Sequence, residues 1–348
     1  MVEIRDVLAR YERMLVEITA ADWDGSGRGG PESYYPDLFS ADSETRTNAA
    51  ERKVRYYGRL FELARRPPEG AAVLEVGTAW GLVLPLLVAM GAAEAHGVDI
   101  VTTMVDYIGC WRSALPPDEA SRIEARVGDA ASLPNPDDTF DVLLSVEAIS
   151  HYRDYEPFVS ESHRVLKPGG SLLIADGNNG LNPLVRRRNE RIWAAHEVDP
   201  RVEIARGESL EDHPHWMVAR RERIILEHRP DLDGDTAHHL ALQTSGMVRD
   251  QVVEAVDRYV DEGVEPNSPY RRGTVTVHPD HGMYMERLFD PFALARELEM
   301  AGFETRVHGH WGSTKRWQRR ASSALDRLPD RITMPTAPSF LVVGVKKA

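Results

Sequence analysis

The sequence predicts an α/β fold built around a doubly wound, mostly parallel sheet. Short apolar runs alternate with amphipathic stretches of helical period between residues 70 and 176. One run, residues 140–145, is continuously apolar apart from its polar second and last residues, as expected for a buried parallel strand. A glycine turn follows the first run and opens a helix, within residues 73–90. Strand–helix–strand units of this kind favour parallel pairing, with helices on the faces of the sheet.

Length, charge and cysteine content narrow the class of protein. The 348 residues suffice for one large domain or for a domain with an insertion. A net charge of -13 disfavours a nucleic-acid partner. A single cysteine, Cys110, excludes an internal disulfide and suits a cytoplasmic location. No apolar run approaches the ~20 residues that span a bilayer, and the N-terminus lacks a signal-peptide pattern, so no membrane partner is predicted.

The predicted elements follow in order as far as residue 176. Two helices, over residues 4–18 and 43–64, come before the sheet. The strands of the sheet and the helices between them then alternate. The predicted strands are 71–77, 95–99, 123–127, 140–145 and 171–176, and the predicted helices are 82–90, 103–115 and 155–166.

The alternation stops after residue 177, and a long segment precedes its return. Helical stretches are predicted at 184–196, 217–227 and 236–260, and the segment is too long to be a loop. A helix at 291–301 and strands at 303–308 and 340–345 resume the pattern. We therefore predict an N-terminal helical extension or lid over 1–69, a core made of 70–177 and 286–348, and a mostly helical substrate cap inserted over 178–285.

Five short motifs occur in a fixed order along the predicted sheet. They are Glu-Val-Gly-Thr-Ala-Trp-Gly at 75–81, Gly-Val-Asp-Ile at 97–100, Gly-Asp-Ala at 128–130, Phe-Asp-Val-Leu-Leu-Ser at 140–145 and Arg-Val-Leu-Lys-Pro-Gly-Gly at 164–170. With this order the chain resembles the class I S-adenosylmethionine-dependent methyltransferases, of the small-molecule type with a large helical insertion. The resemblance covers 70–180 and 285–348. It departs at Ala79, where the family usually has the middle of three glycines.

The resemblance implies a Rossmann-like methyltransferase sheet, S-adenosyl-L-methionine as cofactor, and a set of residues that bind it. Gly77 and Gly81 would let the backbone approach the amino-acid part closely. Glu75 would orient the turn or reach the ammonium, Asp99 would accept bonds from the ribose hydroxyls, and Asp129 would accept one from the adenine amino group. The predicted cofactor-binding residues are Glu75, Gly77, Thr78, Ala79, Gly81, Asp99, Ile100, Asp129, Ala130 and Ser145.

Structural roles remain open as alternatives for the three acidic residues. Glu75 could cap a turn, Asp99 could cap the following helix, and Asp129 could form an Asx turn. A nicotinamide dehydrogenase is the nearest alternative class, but it would use a tighter Gly-x-Gly-x-x-Gly turn that this chain lacks.

Methyl transfer from a sulfonium depends chiefly on proximity and orientation, and a base is needed only when the acceptor must lose a proton. His151 and Glu147 follow the fourth strand and are the predicted catalytic residues. The histidine pairs elsewhere form no recognised metal signature, so no metal is predicted. The predicted substrate-binding residues are Tyr34, Tyr35, Tyr152, Asn178 and Asn179.

The prediction from the sequence is therefore a methyltransferase that acts at oxygen, nitrogen or carbon of a small molecule. One alternative keeps the cofactor but catalyses another reaction, such as a cyclisation. A second alternative is a non-catalytic binding or scaffold protein on the same fold. A homo-oligomer is left open, with the N-terminal helices and the basic stretch at 315–320 as candidate interfaces.

Overall fold

The computed structural model describes residues 3–20, 30–197, 217–271, 273–310 and 329–347. The chain divides into two compact units. Unit 1 contains Met1–Ile149, Asp154–Leu181 and Phe289–Ala348, and unit 2 contains Ser150–Arg153 and Asn182–Leu288. The division into lid, core and cap stays a prediction. Among the residues that the structure describes, no helix is long and apolar enough to cross a membrane.

Unit 1 contains a seven-stranded sheet that confirms the predicted fold class. Its strands are β1 (Ala72–Val76), β2 (Glu94–Asp99), β3 (Ile123–Val127), β4 (Phe140–Val146), β5 (Leu166–Asp176), β6 (Phe303–His310) and β7 (Ser339–Lys346). They lie side by side in the order β3-β2-β1-β4-β5-β7-β6. Strands β1 to β5 are parallel, whereas β7 runs antiparallel to both of its neighbours.

Helices accompany this sheet in unit 1 and make up about half of the described residues of unit 2. In chain order they are α1 (Ile4–Ala20), α2 (Pro31–Tyr34), α3 (Ser43–Ala64), α4 (Leu84–Ala89), α5 (Thr102–Arg112), α6 (Pro117–Ala120), α7 (Glu156–Val165), α8 (Pro183–His196), α9 (Met217–His228), α10 (Gly234–Gln243), α11 (Arg249–Glu262), α12 (Pro291–Met300) and α13 (Asp330–Thr333). Helices α8 to α11 belong to unit 2.

The N-terminal helices α1 and α3 pack onto the sheet unit as part of its core. Both helices bury apolar residues at helical spacing in one hydrophobic cluster with β1 and α4. The Tyr11 hydroxyl of α1 donates to the Leu82 carbonyl at 2.8 Å, which ties α1 to the turn after β1. Asp42 starts α3 by accepting the Thr45 N–H at 2.8 Å, as an N-cap residue does. Helix α3 is thereby held beside the carboxyl end of β1.

The two largest differences between the predicted and the observed elements concern β5 and the helices of unit 2. The strand predicted from residue 171 begins at Leu166, and a register shift separates the pair Phe140–Leu166 from the pair Val142–Ser171. The shift leaves extra residues in β5 between Leu166 and Ser171, and Gly169, one of them, has a φ of +74°. The single helix predicted over 236–260 is two helices, α10 and α11. Gly246 lies between them at φ +80°, a left-handed conformation that interrupts a helix.

Unit 2 has a hydrophobic cluster of its own. Helices α9, α10 and α11 bury apolar side chains against one another, among them Val218, Ile224, Leu240 and Val252. Helix α8 begins after Asn182, whose side chain accepts the Leu184 N–H at 2.9 Å. The basic stretch predicted as a helix at 315–320 lies outside the described residues.

Candidate active site

A cavity of about 540 Å³ opens at the carboxyl edge of the sheet in unit 1. It lies beside β1 and β4, which are neighbours in the sheet. The strand that follows β1 in the chain, β2, lies on one side of this pair, and the strand that follows β4, β5, lies on the other side. Open α/β sheets bind ligands at such a switch point, and the volume is in the range of small-molecule sites. The residues of predicted function that line it are Tyr34, Tyr35, Glu75, Gly77, Thr78, Ala79 and Glu147.

The turn after β1 places three alternate residues in the left-handed region. Gly77 has a φ of +77°, Ala79 of +49° and Gly81 of +71°. A Cβ at Gly81 would lie 2.6 Å from the Ile108 side chain, so glycine is required there. Ala79 keeps the conformation of the missing middle glycine at a cost of about 1–2 kcal/mol. The departure from the family pattern therefore leaves the shape of the turn intact.

Asp99 connects this turn to the end of β2. Its side chain is largely buried and accepts the Ala79 N–H at 2.8 Å and the Val101 N–H at 2.9 Å. Helix α5 begins at Thr102, with Val101 in the N-cap position, so Asp99 is not the cap residue of that helix. The carboxylate instead holds the turn against β2, at the position where a ribose is predicted to bind.

Glu75 is a buried carboxyl in the wall of the cavity. The Thr78 hydroxyl donates to it at 2.8 Å and the Tyr57 hydroxyl at 3.2 Å. Burial raises the pKa of Glu75 from 4.5 to about 7, although Thr78, Lys53 and Tyr57 pull it in the opposite direction. The charged carboxylate is therefore poorly stabilised by the protein alone, which suits a group that receives a cationic ligand.

We expect Glu75→Gln to alter how stability depends on pH. Because the pKa of Glu75 is higher in the folded state, that state binds more protons between pH 4.5 and about 7, and wild-type stability falls as the pH rises through this window. The glutamine variant lacks this loss, so its stability relative to wild type should improve by roughly 2–3 kcal/mol between pH 5 and pH 8. Urea unfolding of both proteins at the two pH values measures the difference. A difference that does not change with pH would contradict the raised pKa.

Helix α3 contributes side chains that the sequence analysis did not assign to the site. Lys53, Tyr56 and Tyr57 line the cavity and are spaced i, i+3, i+4, so they share one face of the helix. The Lys53 ammonium lies 5.1 Å from the centre of the Tyr35 ring and 5.7 Å from that of Tyr57. A lysine beside the apolar face of an amphipathic helix is a weak signal for this role.

Glu147 is the predicted catalytic residue that reaches the cavity. It follows β4 with a φ of +53°, an uncommon conformation for a non-glycine residue, and its Oε2 accepts the Gly177 N–H at 2.9 Å. The nearby Tyr56 hydroxyl is buried beside Glu147. Burial, followed by the charges of Glu147 and Asp176, raises the Tyr56 pKa well above its usual value. Glu147 and Tyr56 thus offer an acceptor and a donor at one side of the cavity.

Other predicted cofactor residues do not line the cavity. Ser145 is fully buried in β4, whereas Ile100 is 45% exposed. Asp129 is exposed, and its Oδ1 accepts the Ala131 N–H at 2.9 Å, which is the Asx-turn geometry left open by the sequence. Ala130 is buried beside it. Asp99 and Gly81 do not line the cavity either, and the ligand roles of all ten predicted cofactor residues stay predictions.

The predicted substrate residues fall into different surroundings. Tyr34 is 54% exposed with its ring 5.9 Å from that of Trp80, and Tyr35 is half-buried. Asn178 donates to Asp176 at 2.8 Å, and Asn179 donates to the carbonyls of residues 334 and 337 at 2.8 and 2.7 Å. These bonds give both asparagines a structural role, and their substrate contacts stay predictions.

His151 and Tyr152 lie in unit 2 rather than in the unit that holds the cavity. The His151 Nδ1 is 2.9 Å from the Tyr284 carbonyl, to which it donates when that nitrogen carries the proton, and the Nε2 is 3.8 Å from Glu286. The Tyr152 carbonyl accepts a bond from Arg287 at 3.1 Å. The catalytic role of His151 stays a prediction. Within the described ranges, no cluster of three or more histidine, cysteine or acidic residues could hold a metal ion.

Comparison with known proteins points to one class of domain. Residues 74–174 match the family model of a methyltransferase domain. A ubiquinone biosynthesis O-methyltransferase from Mesorhizobium japonicum is 31% identical over 122 residues, which are 35% of this chain and 47% of that relative. A 2-methyl-6-phytyl-1,4-hydroquinone methyltransferase from Synechocystis is 37% identical over 113 residues, 32% of this chain and 33% of that relative. The chain thus spans less than half the length of these two relatives.

A solved structure of an S-adenosylmethionine-dependent methyltransferase from Mesorhizobium loti is 15% identical and covers 83% of this chain and 97% of that one, with a TM-score of 0.43. The strand order, the turn after β1 and the matched domain define an α/β domain that binds a nucleoside cofactor. Residues 74–174 thus resemble a methyltransferase domain, as the sequence predicted, and S-adenosylmethionine is the cofactor of this domain.

The residues present fit this cofactor. The cavity has room for a nucleoside with an amino-acid tail, and its wall includes the backbone of the turn, where Gly77 carries no side chain to obstruct a ligand. Glu75 provides a buried anionic partner for an ammonium group, and Asp99 stands at the end of the adjoining strand β2.

Proposed function

We propose that this protein is an S-adenosylmethionine-dependent methyltransferase that acts on a small-molecule acceptor. The observation that carries the proposal is the cavity itself, which combines the left-handed turn at 77–81 with a buried carboxyl at Glu75. The turn presents backbone without a side chain at Gly77, which lets a ligand approach closely, and the carboxyl receives a cation. Methyl transfer requires little more than such positioning of donor and acceptor.

Each residue of the site has a part in this mechanism. Bound S-adenosylmethionine supplies an activated methyl group on a sulfonium. Glu75 and the turn would hold the amino-acid part, and Asp99 would orient the ribose by accepting hydrogen bonds from its hydroxyls. Glu147 accepts the acceptor's proton where the acceptor must lose one, and the Tyr56 hydroxyl beside it donates a hydrogen bond to the acceptor. Tyr34 and Tyr35 border the same cavity and contribute aromatic contact to the acceptor.

The names of the two relatives support a small acceptor of the quinone or hydroquinone type. One is named for ubiquinone biosynthesis and the other for a phytyl hydroquinone. The atom that receives the methyl group is oxygen, nitrogen or carbon. The inserted segment 178–285 is proposed to select the acceptor. A cytoplasmic location and a homo-oligomeric state stay predictions.

Calorimetry with S-adenosylmethionine and S-adenosylhomocysteine tests the cofactor part of the proposal. Both ligands should bind at one site per chain, with dissociation constants in the micromolar range (~8 kcal/mol). Mass spectrometry of products from a panel of hydroquinones, phenols and amines then tests the reaction, because methyl transfer adds one methyl group to the acceptor. Absence of binding to both ligands would refute the proposed function, and a product that gains no methyl group would favour the cyclisation alternative.

A further inference from the structure

We propose that Arg164 of α7 is a positioning residue for the base of the cofactor, and that it acts through the loop that joins β3 to β4. This loop, residues 128–139, contains Asp129, which is predicted to accept a hydrogen bond from the adenine amino group. The inference rests on the proposed function. It gives a role to the fifth sequence motif, whose first residue is Arg164 and which the mechanism does not otherwise use.

The Arg164 guanidinium binds the loop at three points. It donates to the Leu133 carbonyl at 3.1 Å, to the Asn135 carbonyl at 2.7 Å and to the Asp137 carboxylate at 2.8 Å. It also pairs with both oxygens of Glu161, at 2.8 and 2.6 Å. This set of bonds requires the planar fork of an arginine, because the single nitrogen of a lysine cannot span the same acceptors.

Glu161 completes the attachment of the loop to α7. Its Oε2 accepts the Leu133 N–H at 2.7 Å, so both backbone groups of Leu133 are bound by the pair of Arg164 and Glu161. The hydrogen bond from Arg164 holds the pKa of Glu161 below its usual value, although desolvation acts in the opposite direction. The Leu133 side chain is itself buried. Polar bonds and apolar burial therefore fix the same point of the loop.

A tight turn connects this fixed point to Asp129. The Ser132 N–H donates to the Asp129 carbonyl at 3.0 Å, and the Ala131 N–H donates to the Asp129 Oδ1 at 2.9 Å. A four-residue turn closed in this way has little freedom once the residue after it is fixed. The bonds of Arg164 to Leu133 thus limit the positions that the Asp129 carboxylate can take.

The start of the loop lies against the strand that ends at Asp99. The Gly128 N–H donates to the Asp99 carbonyl at 3.0 Å. A Cβ at Gly128 would lie 2.8 Å from the Pro134 ring, so Pro134 packs closely against this backbone. Strand β3 is on the far side of β2 from β1. A cofactor with its amino-acid part at β1 and its ribose at Asp99 would therefore extend its base toward this loop.

Two ligands that differ in the base test the proposal. S-inosylhomocysteine carries an oxygen where the adenine of S-adenosylhomocysteine carries its amino group. Calorimetry should show that wild type binds the inosine ligand about 10- to 100-fold more weakly, because Asp129 would face an oxygen instead of a donor. Arg164→Met should reduce this ratio to about threefold or less, since the Asp129 carboxylate is no longer held in place. Asp129→Ala should give the same small ratio and marks the complete loss of recognition.

A second variant keeps the test valid if Arg164→Met fails to fold. Arg164→Lys retains the charge but cannot make all the bonds of the guanidinium, so its ratio should lie between those of wild type and Asp129→Ala. Arg55→Met is the matched control. Arg55 is half exposed on α3, pairs with Glu51 and does not line the cavity, so this variant should keep the ratio of wild type. Circular dichroism reports that each variant is folded.

The ratio of the two affinities separates a positioning role from a purely structural one. If folded Arg164 variants weaken both ligands equally, or neither, the ratio is unchanged and the proposal is overturned while the proposed function stands. A wild-type protein that binds both ligands equally would also overturn the proposal, because the base is then not recognised through Asp129. If wild type binds neither ligand, the proposed function fails as well.

Discussion

Asp99→Ala is expected to lower the affinity for S-adenosylhomocysteine by about 100- to 1,000-fold. The carboxylate would accept two charge-assisted bonds from the ribose hydroxyls, each contributing about 1.5–3 kcal/mol. It also anchors the turn by accepting the Ala79 N–H at 2.8 Å, so its removal loosens the backbone that faces the cofactor. Isothermal titration calorimetry measures the change in affinity.

A cofactor analogue separates these two effects of Asp99. The 2′,3′-dideoxy analogue of S-adenosylhomocysteine lacks the hydroxyls, so wild type and Asp99→Ala should differ far less in their affinity for it. The exposed residue Asp106 on α5 offers a control, because Asp106→Ala leaves the site unchanged and should bind normally. An Asp99→Ala protein that binds S-adenosylhomocysteine within threefold of wild type would rule out ribose recognition by this carboxylate.

Arg221→Met is expected to lower the free energy of unfolding of unit 2 by about 3–5 kcal/mol. Arg221 is fully buried, and it pairs with the 3%-exposed Glu197 side chain at 2.6 Å. It also donates to the Ala241 carbonyl at 2.9 Å and to the Ser245 hydroxyl at 3.0 Å. Methionine fills much of the space but leaves the Glu197 carboxylate buried without its cation. Urea unfolding followed by circular dichroism measures the loss.

The double variant Arg221→Met/Glu197→Leu should recover most of this stability, because no uncompensated charge remains. The control on the same helix is Arg223→Met. Arg223 is 56% exposed, and its ion pairs lie at the surface, so the expected loss is below about 1 kcal/mol. A single Arg221→Met variant as stable as wild type would show that the buried pair contributes nothing to unit 2.

The parts of the fold that could be predicted are those that depend on local sequence. Periodicity placed helix α3 at its observed bounds, and it placed strand β3 at its observed bounds as well. The break between α10 and α11 was missed, because the apolar spacing continues across Gly246 and only its left-handed φ separates the helices. The start of β5 was wrong by five residues, since the shift in pairing with β4 is a property of two strands rather than of one segment.

The residues of the candidate site also fall into two groups, those that a local motif predicts and those that only the tertiary structure reveals. Glu75, Gly77 and Ala79 could be found because one short motif contains them, and the structure places all three around the cavity. Lys53 was not found, because it lies on α3, well before the motif at 75–81 in the chain. That helix contains no recognised motif of its own. A catalytic role was predicted for His151 because it follows β4 in the chain. The structure assigns His151 to unit 2, and its position in the sequence gives no sign of this.

The sequence by itself determined the class of fold, the glycine turn after β1 and the class of cofactor, because each of these depends on short motifs that are local in the chain. Tertiary structure decided which side chains complete the site. Helix α3 shares a hydrophobic cluster with β1 and is joined to it by the Tyr57–Glu75 hydrogen bond, and it brings Lys53, Tyr56 and Tyr57 to the cavity. The physical reason is that charge complementarity and burial depend on distances in space. Hydrophobic packing between elements sets those distances, and a local pattern does not specify them.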